Sequence, residues 1–333
     1  MSTRTGRTRA RTRTRLTTTV AAVLAAVTLA ACGGPSGLDD LGRESAAVET
    51  GTDSPVTAAP PAPATCDDAT TSYDPLETLP EPGQFEAGST MAEIYERGTL
   101  IAGISADTLL MGSRNPLTGE IEGFDVDVLR DLSTAIFGTP DRIQFRVITS
   151  GQRVGVLENG EVDVVARTFS MTCTRWETIA FSAEYYDAGQ KVLVSAESTA
   201  TGLDDLSDQR VCAPEGTTTL TRLEEYPVEV VPARTHTACL ALFQQSQVEA
   251  ITGDDTILAG FAAQDPYAKV VGDAISTEPY GLGMQADDVD LVQFANAVLA
   301  QRVADGRWQA SYDRWLGVLG ADAVPPAPEY GRS

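Results

Sequence analysis

Four stretches of the chain carry side chains arranged for chemistry. Residues 162–175 run from a β-branched segment into the polar loop Arg167-Thr168-Phe169-Ser170-Met171-Thr172-Cys173-Thr174 and end on Arg175. A guanidinium is a planar fork of donors that meets a carboxylate through two parallel bonds, and hydroxyls and loop N–H groups beside it can complete the shell. Glu215-Gly216-Thr217-Thr218-Thr219 follows another β-branched segment. The glycine lets main chain approach a ligand closely, and the threonines open a helix whose N–H groups suit an anion, or cap it. Residues 248–260 hold the pair Asp254-Asp255; paired acids suit calcium, but no EF-type loop with acids at alternating positions follows. Gly123-Phe124-Asp125-Val126-Asp127 puts two acids in the first turn of a helix, where they suit its dipole rather than catalysis or metal binding.

Those loops need elements to hold them. Short β-branched runs alternate with amphipathic segments. Strands are expected at 99–104, 143–148, 162–166, 191–195, 210–213, 228–232, 248–252, 269–272 and 280–285, with helices near 126–137, 153–159, 218–225, 237–245 and 256–263. Two helices, 289–305 and 307–316, close the chain; Leu291, Phe294, Ala295, Val298 and Leu299 form one apolar stripe. Alternation of this kind implies parallel α/β sheets, in which ligands sit beyond the carboxyl ends of strands.

Composition bounds the function. The chain has 333 residues, a hydrophobic content of 42% and a net charge of −23, with Lys191 and Lys269 as its only lysines. That is enough apolar residue for a sizeable core, and the charge excludes a nucleic-acid footprint. The single histidine, His236, excludes a His-rich zinc site and leaves any Ser-His or Cys-His catalysis resting on one residue.

The N-terminus reads as an address. Residues 1–15 hold six arginines and no acid, residues 16–31 carry no charge, and Leu29-Ala30-Ala31-Cys32 then resembles the bacterial lipobox, whose cysteine is lipidated. Residues 1–31 are therefore expected to be a lipoprotein signal peptide, Cys32 the lipidation site, and 32–90, rich in Pro, Ala and Thr, a disordered tether. Without the signal the protein is more acidic still. With Cys32 lipidated, Cys66, Cys173, Cys212 and Cys239 remain, an even set in an oxidising compartment.

Read as strings, Gly123–Leu132, the 162–186 block, Glu215–Thr219 and Val248–Gly260 together resemble the family 3 extracellular solute-binding proteins, the polar amino acid receptors of ABC importers. The likeness covers about residues 98–317 and includes a departure, Ser133, where the signature has a small apolar residue. Within that family the glutamine/glutamate-binding lipoprotein subgroup is similar in its Cys-containing loop, Arg210-Val211-Cys212 and Pro325-Pro326. The resemblance implies a two-lobed clamshell, the type 2 periplasmic-binding-protein-like α/β fold with a two-strand hinge. Lobe 1 is then 91–190 plus 284–320, lobe 2 is 196–280, and 321–333 is a tail. It implies that Arg175 clamps the ligand α-carboxylate with Thr168 and Ser170 beside it, that Thr218 reaches the same carboxylate from the other lobe, and that Asp254 pairs with the α-ammonium, with Asp255 the alternative. A desolvated ammonium needs such a fixed countercharge. A disulfide across the lobes would block closure, so Cys212–Cys239 and Cys66–Cys173 are the expected pairs.

The aromatic that many family members stack on the ligand has no counterpart in Ser105–Pro116, which counts against aromatic ligands. Arg167 stands at a family position that can face the side-chain pocket, or else solvent; in the pocket it favours Glu, Gln, Asp or Asn. Asp107 and Arg114 are weaker rim candidates. The expected protein is a monomeric receptor, not an enzyme, with neither cofactor nor metal and no nucleic-acid partner. It is anchored outside the cytoplasmic membrane by lipid and hands its amino acid to an ABC permease or signals to a transmembrane sensor. A dehydratase-type enzyme on the same fold would need an added acid–base pair from Glu215 or Asp107.

Overall fold

The computed structural model describes residues 66–333 apart from Asp322. All of them fall within one compact unit, Pro60–Ser333. The expected signal peptide, Cys32 and residues 32–65 of the spacer lie outside the described residues.

Two sheets organise the molecule. The first has the order Ile143–Val147, Leu100–Ile104, Val164–Val165, Gly283–Gln285, Ile179–Phe181; the second has the order Glu229–Ala233, Arg210–Pro214, Ala250–Asp254, Tyr186–Ser195, Ala268–Val271, with Thr277–Tyr280 also on Tyr186–Ser195. Leu100–Ile104 pairs parallel with both neighbours, and so does Arg210–Pro214. The sheets are nonetheless mixed, not wholly parallel. Gly283–Gln285 and Tyr186–Ser195 run antiparallel to their neighbours. Each lies where the chain passes between the sheets, so it enters from the opposite end to a strand fed by a crossover helix. The expected strand 280–285 is accordingly two, Thr277–Tyr280 in the second sheet and Gly283–Gln285 in the first.

Each sheet is covered by helices with buried apolar faces. The stripe Leu291, Phe294, Ala295, Val298 and Leu299 of helix Val289–Ala304 is buried, as are Val126, Val128, Leu129 and Leu132 of helix Phe124–Phe137. Burying each large side chain is worth about 1.5–3 kcal/mol. Both disulfides form, Cys66–Cys173 and Cys212–Cys239, with Cα atoms 5.8 and 5.6 Å apart.

The chain ends depart from expectation. Residues 66–90 are not a free spacer. Tyr73, Leu76, Leu79 and Phe85 pack on the first lobe's core, Thr71–Ser72 pairs in parallel with Glu329–Tyr330 of the tail, and a helix, Thr90–Arg97, follows between the cap Ser89 and a left-handed Gly98. Arg332 donates to the carbonyl of Thr71 and lies 3.8 Å over the Trp176 ring. Apolar anchors at intervals outweigh the Pro-rich average here.

A cleft between the two sheets

The site is built on loops that leave the carboxyl ends of strands. After Val164–Val165 the chain turns through Thr168, which has a left-handed φ of 41°. A threonine pays for that conformation only where surroundings fix it. Asp125 does so: its Oδ2 accepts the Thr168 N–H at 2.9 Å and its Oδ1 accepts the Tyr185 hydroxyl at 2.7 Å. Asp125 is buried and its carboxyl is pushed up to about 6 by desolvation, against the pull of these bonds. The first-turn acid of the signature therefore anchors this loop. Asp127 instead holds the last helix, accepting from Ser311 and from the Trp315 indole.

Three guanidiniums gather beneath this loop. Arg153 donates to the carbonyls of Ser150 at 2.9 Å and Thr168 at 2.7 Å, and across to Gly216 at 3.0 Å. Arg175 donates to Ser170 O at 2.5 Å and Gly216 O at 3.3 Å. Both lie over the Phe169 ring, at 4.5 and 4.9 Å. Arg167 is turned away, bound to Ile148 O and the Ser150 hydroxyl. Burial lowers all three, Arg175 to about 10, and Arg153 is lowered further by its two neighbours.

The second sheet supplies acids and hydroxyls. Gly216 is left-handed, and a Cβ there would stand 2.6 Å from the Cα of Gly151, so only glycine lets the two lobes meet at this point. Thr217 caps the following short helix by accepting from Leu220 N. The Thr218 hydroxyl donates to Glu278 at 2.6 Å. Asp254 closes its strand, buried, accepting the Tyr280 hydroxyl at 2.6 Å; desolvation and then the adjacent Glu278 push its carboxyl up to about 8. Beside it His236 is 5% exposed, and neither ring nitrogen has a partner among the described residues. Burial, with Arg167 and Arg153 nearby, keeps that imidazole neutral.

Arg153, Thr168, Ser170, Thr217, Thr218, Thr219, His236 and Asp254 line one cavity of about 10 Å³. That is room for roughly one water. Thr168, Ser170, Thr218 and Asp254 thus come together as the sequence suggested. Arg175 stands just behind Ser170 and is not in the lining. Arg167 is neither in the cavity nor in solvent; it packs under the loop, and Arg153 occupies the place expected for it. Asp255 accepts from Thr256 N at the start of the next helix, which leaves Asp254 to face the cavity. Asp107 latches the rim, accepting the Thr237 hydroxyl across the cleft at 2.7 Å, while Arg114 binds its own hairpin at Gly119. Arg153 and His236 escaped sequence reasoning. The signals present were an arginine directly after a polar Ser-Gly-Gln turn and a lone histidine next to a capping threonine.

A basic wall on one lobe faces an acid on the other across a water-sized gap, and the chain crosses between lobes on two strands. Residues 100–318 match the description of the bacterial extracellular solute-binding proteins, family 3. The chain belongs to that family. Among its relatives, the glutamine-binding protein of a Bacillus subtilis ABC transporter is 31% identical over 68% of this chain and 84% of its own length. A glutamate-binding protein of Corynebacterium efficiens is 30% identical over 72% of this chain and 86% of its own. Among solved structures, the L-cysteine solute receptor of Neisseria gonorrhoeae superposes with a TM-score of 0.67 at 26% identity, over 71% of this chain and 98% of that one. These likenesses agree with the expected two-lobed α/β clamshell. Among the described residues no helix is long and apolar enough to cross a membrane, and no group of side chains is placed to hold a metal ion.

Proposed function

We propose that this family 3 protein is an extracytoplasmic receptor for a polar amino acid, glutamate or glutamine first and aspartate or asparagine next, which it delivers to an ABC importer. Its amino acid enters when the lobes part about the two crossing strands and is enclosed when they close. Asp254 meets the α-ammonium; Thr168, Ser170, Thr218 and Arg175 surround the α-carboxylate. The Thr218 hydroxyl is spent on Glu278, so its contribution to the carboxylate comes from the main chain. Arg153 and His236 take the ligand side chain, in place of Arg167. Guanidinium has donors only, so the side chain it selects must accept, as a carboxylate or amide oxygen does. A neutral imidazole both donates and accepts, which suits an amide equally. Cys32 would carry the lipid anchor, and the monomer would act without cofactor or turnover.

The observation that carries this reading is that Arg153, a neutral His236 without a hydrogen-bond partner among the described residues, and Asp254 line one cavity. The relatives named for glutamine and glutamate support it. A thermal-shift screen of the twenty amino acids on the exported chain tests it. Glutamate and glutamine should give the largest rises, and Arg175→Ala should remove them. If no acidic or amide amino acid raises the midpoint, the reading fails.

A further inference from the structure

Away from the cleft, the proline-rich C-terminal segment roofs a cavity of about 210 Å³ over the helices Val289–Ala304 and Arg307–Trp315. Its walls are apolar and largely flat: Leu299, Val303, Trp308, Pro325, Pro326 and Tyr330. The Trp308 N–H is already donated to Tyr185 O at 2.8 Å, so the indole is a fixed wall with no polar edge to offer. One carboxyl group enters this space. Glu184 lines the cavity, and its Oε1 is buried without a hydrogen-bond partner among the described residues. Asp187 from the adjoining strand and Glu329 from the tail lie near enough to act on it, and among the described residues no basic side chain lines the cavity. Desolvation, then Asp187 and Glu329, push the Glu184 carboxyl up to about 8.

We propose that this cavity is a second binding site, selective for an apolar organic ammonium whose ring lies on the Trp308–proline wall and whose charge meets Glu184. A concave, mostly apolar cavity with one convergent polar group is the common form of a small-molecule site. An anion entering it would meet Glu184, with Asp187 and Glu329 close enough to add to the repulsion. A neutral apolar body would fill the walls but leave Oε1 unpaired, a standing cost for a buried polar atom. Only a cation gains from the acids. The site shares no lining residue with the amino acid cleft, so the two can be occupied at once.

The probe is benzylammonium, titrated calorimetrically into the full chain at about pH 8.5, with and without excess glutamate, beside benzyl alcohol and benzoate as the neutral and anionic counterparts. One-to-one binding is expected, about tenfold tighter for the ammonium than for the alcohol, as a charge-assisted contact implies. Benzoate should not bind, and glutamate should not compete. Affinity should fall by about tenfold or more towards pH 6.5, as Glu184 takes up its proton; Asp187, Glu329 and Tyr330 are the other titratable groups around it. Glu184→Gln, which keeps the shape, should abolish both the preference for charge and the pH dependence. Ala300→Trp at the rim should abolish binding of ammonium and alcohol alike. Equal affinity for the alcohol, undiminished binding by Glu184→Gln, displacement by glutamate, or no binding at millimolar benzylammonium each overturns the proposal.

Discussion

Asp254 is the group that should make the empty cleft reluctant to shut. In the closed arrangement its carboxyl is enclosed beside Glu278 with one donor, the Tyr280 hydroxyl, and is pushed from 3.8 to about 8. A carboxyl raised on closure favours the proton-bound form, so closure without ligand is easiest at low pH and is lost as pH rises towards 8. At about 1.4 kcal/mol per pH unit, moving from about pH 5 to pH 7 disfavours the empty closed form by up to about 3 kcal/mol, roughly a hundredfold in population. An ammonium inside the cleft removes that penalty by supplying the missing charge. Asp254→Asn removes the charge while keeping the side-chain shape and an acceptor for Tyr280. The unliganded variant should therefore be more compact than wild type at pH 7 in small-angle scattering, and its radius of gyration should not change between about pH 5 and 8. Wild type should expand over that range. The same substitution should weaken amino acid binding by about a thousandfold, the scale of breaking a buried ion pair. Equal radii for wild type and variant at every pH, or a variant that still binds an amino acid tightly, would refute the reasoning.

Further expectations concern the loop and the side-chain end of the cleft. Arg153→Met strips the Thr168 and Gly216 carbonyls of a shared donor. It should lower stability by about 3–5 kcal/mol in chemical denaturation and weaken glutamate by about a hundredfold or more. His236→Leu should cost glutamine about tenfold in titration calorimetry yet leave alanine, which does not reach it, nearly unchanged. Asp125→Ala frees Thr168 from the bond that holds its left-handed turn. It should destabilise the protein by about 2–4 kcal/mol and weaken every amino acid by a similar factor, since it disturbs the α-carboxylate end.

What could be read from the residues was whatever local order already expressed. Thr168, Ser170, Thr218 and Asp254 each follow a β-branched strand, and it was the family resemblance that assigned them to the cleft without knowledge of the sheet order. The disulfide pairs followed from lobe membership. Arg167 and Arg153 were exchanged because fourteen residues of sequence, holding a helix and a turn, separate two arginines that end up under one loop. Only the tertiary path tells which guanidinium reaches the cavity and which is consumed by Ile148 O and Ser150. His236 follows the N-cap Thr235 and reads as an ordinary first-turn residue; its burial without partners among the described residues shows only in the folded chain. Asp125 looked like a dipole complement because its two real partners, Thr168 and Tyr185, lie 43 and 60 residues away. Residues 66–90 were misjudged for a different reason. Composition averaged over the spacer hid four apolar side chains that pin its end to the core.

The central claim is that the two poles of a free amino acid are read from opposite lobes. Calorimetric titration of the exported chain with glutamate, and with the two analogues lacking either its α-amino or its α-carboxyl group, tests this directly. The account predicts tight one-to-one binding of glutamate and a loss of about a hundredfold or more for each analogue. Binding that survives removal of either group would contradict it.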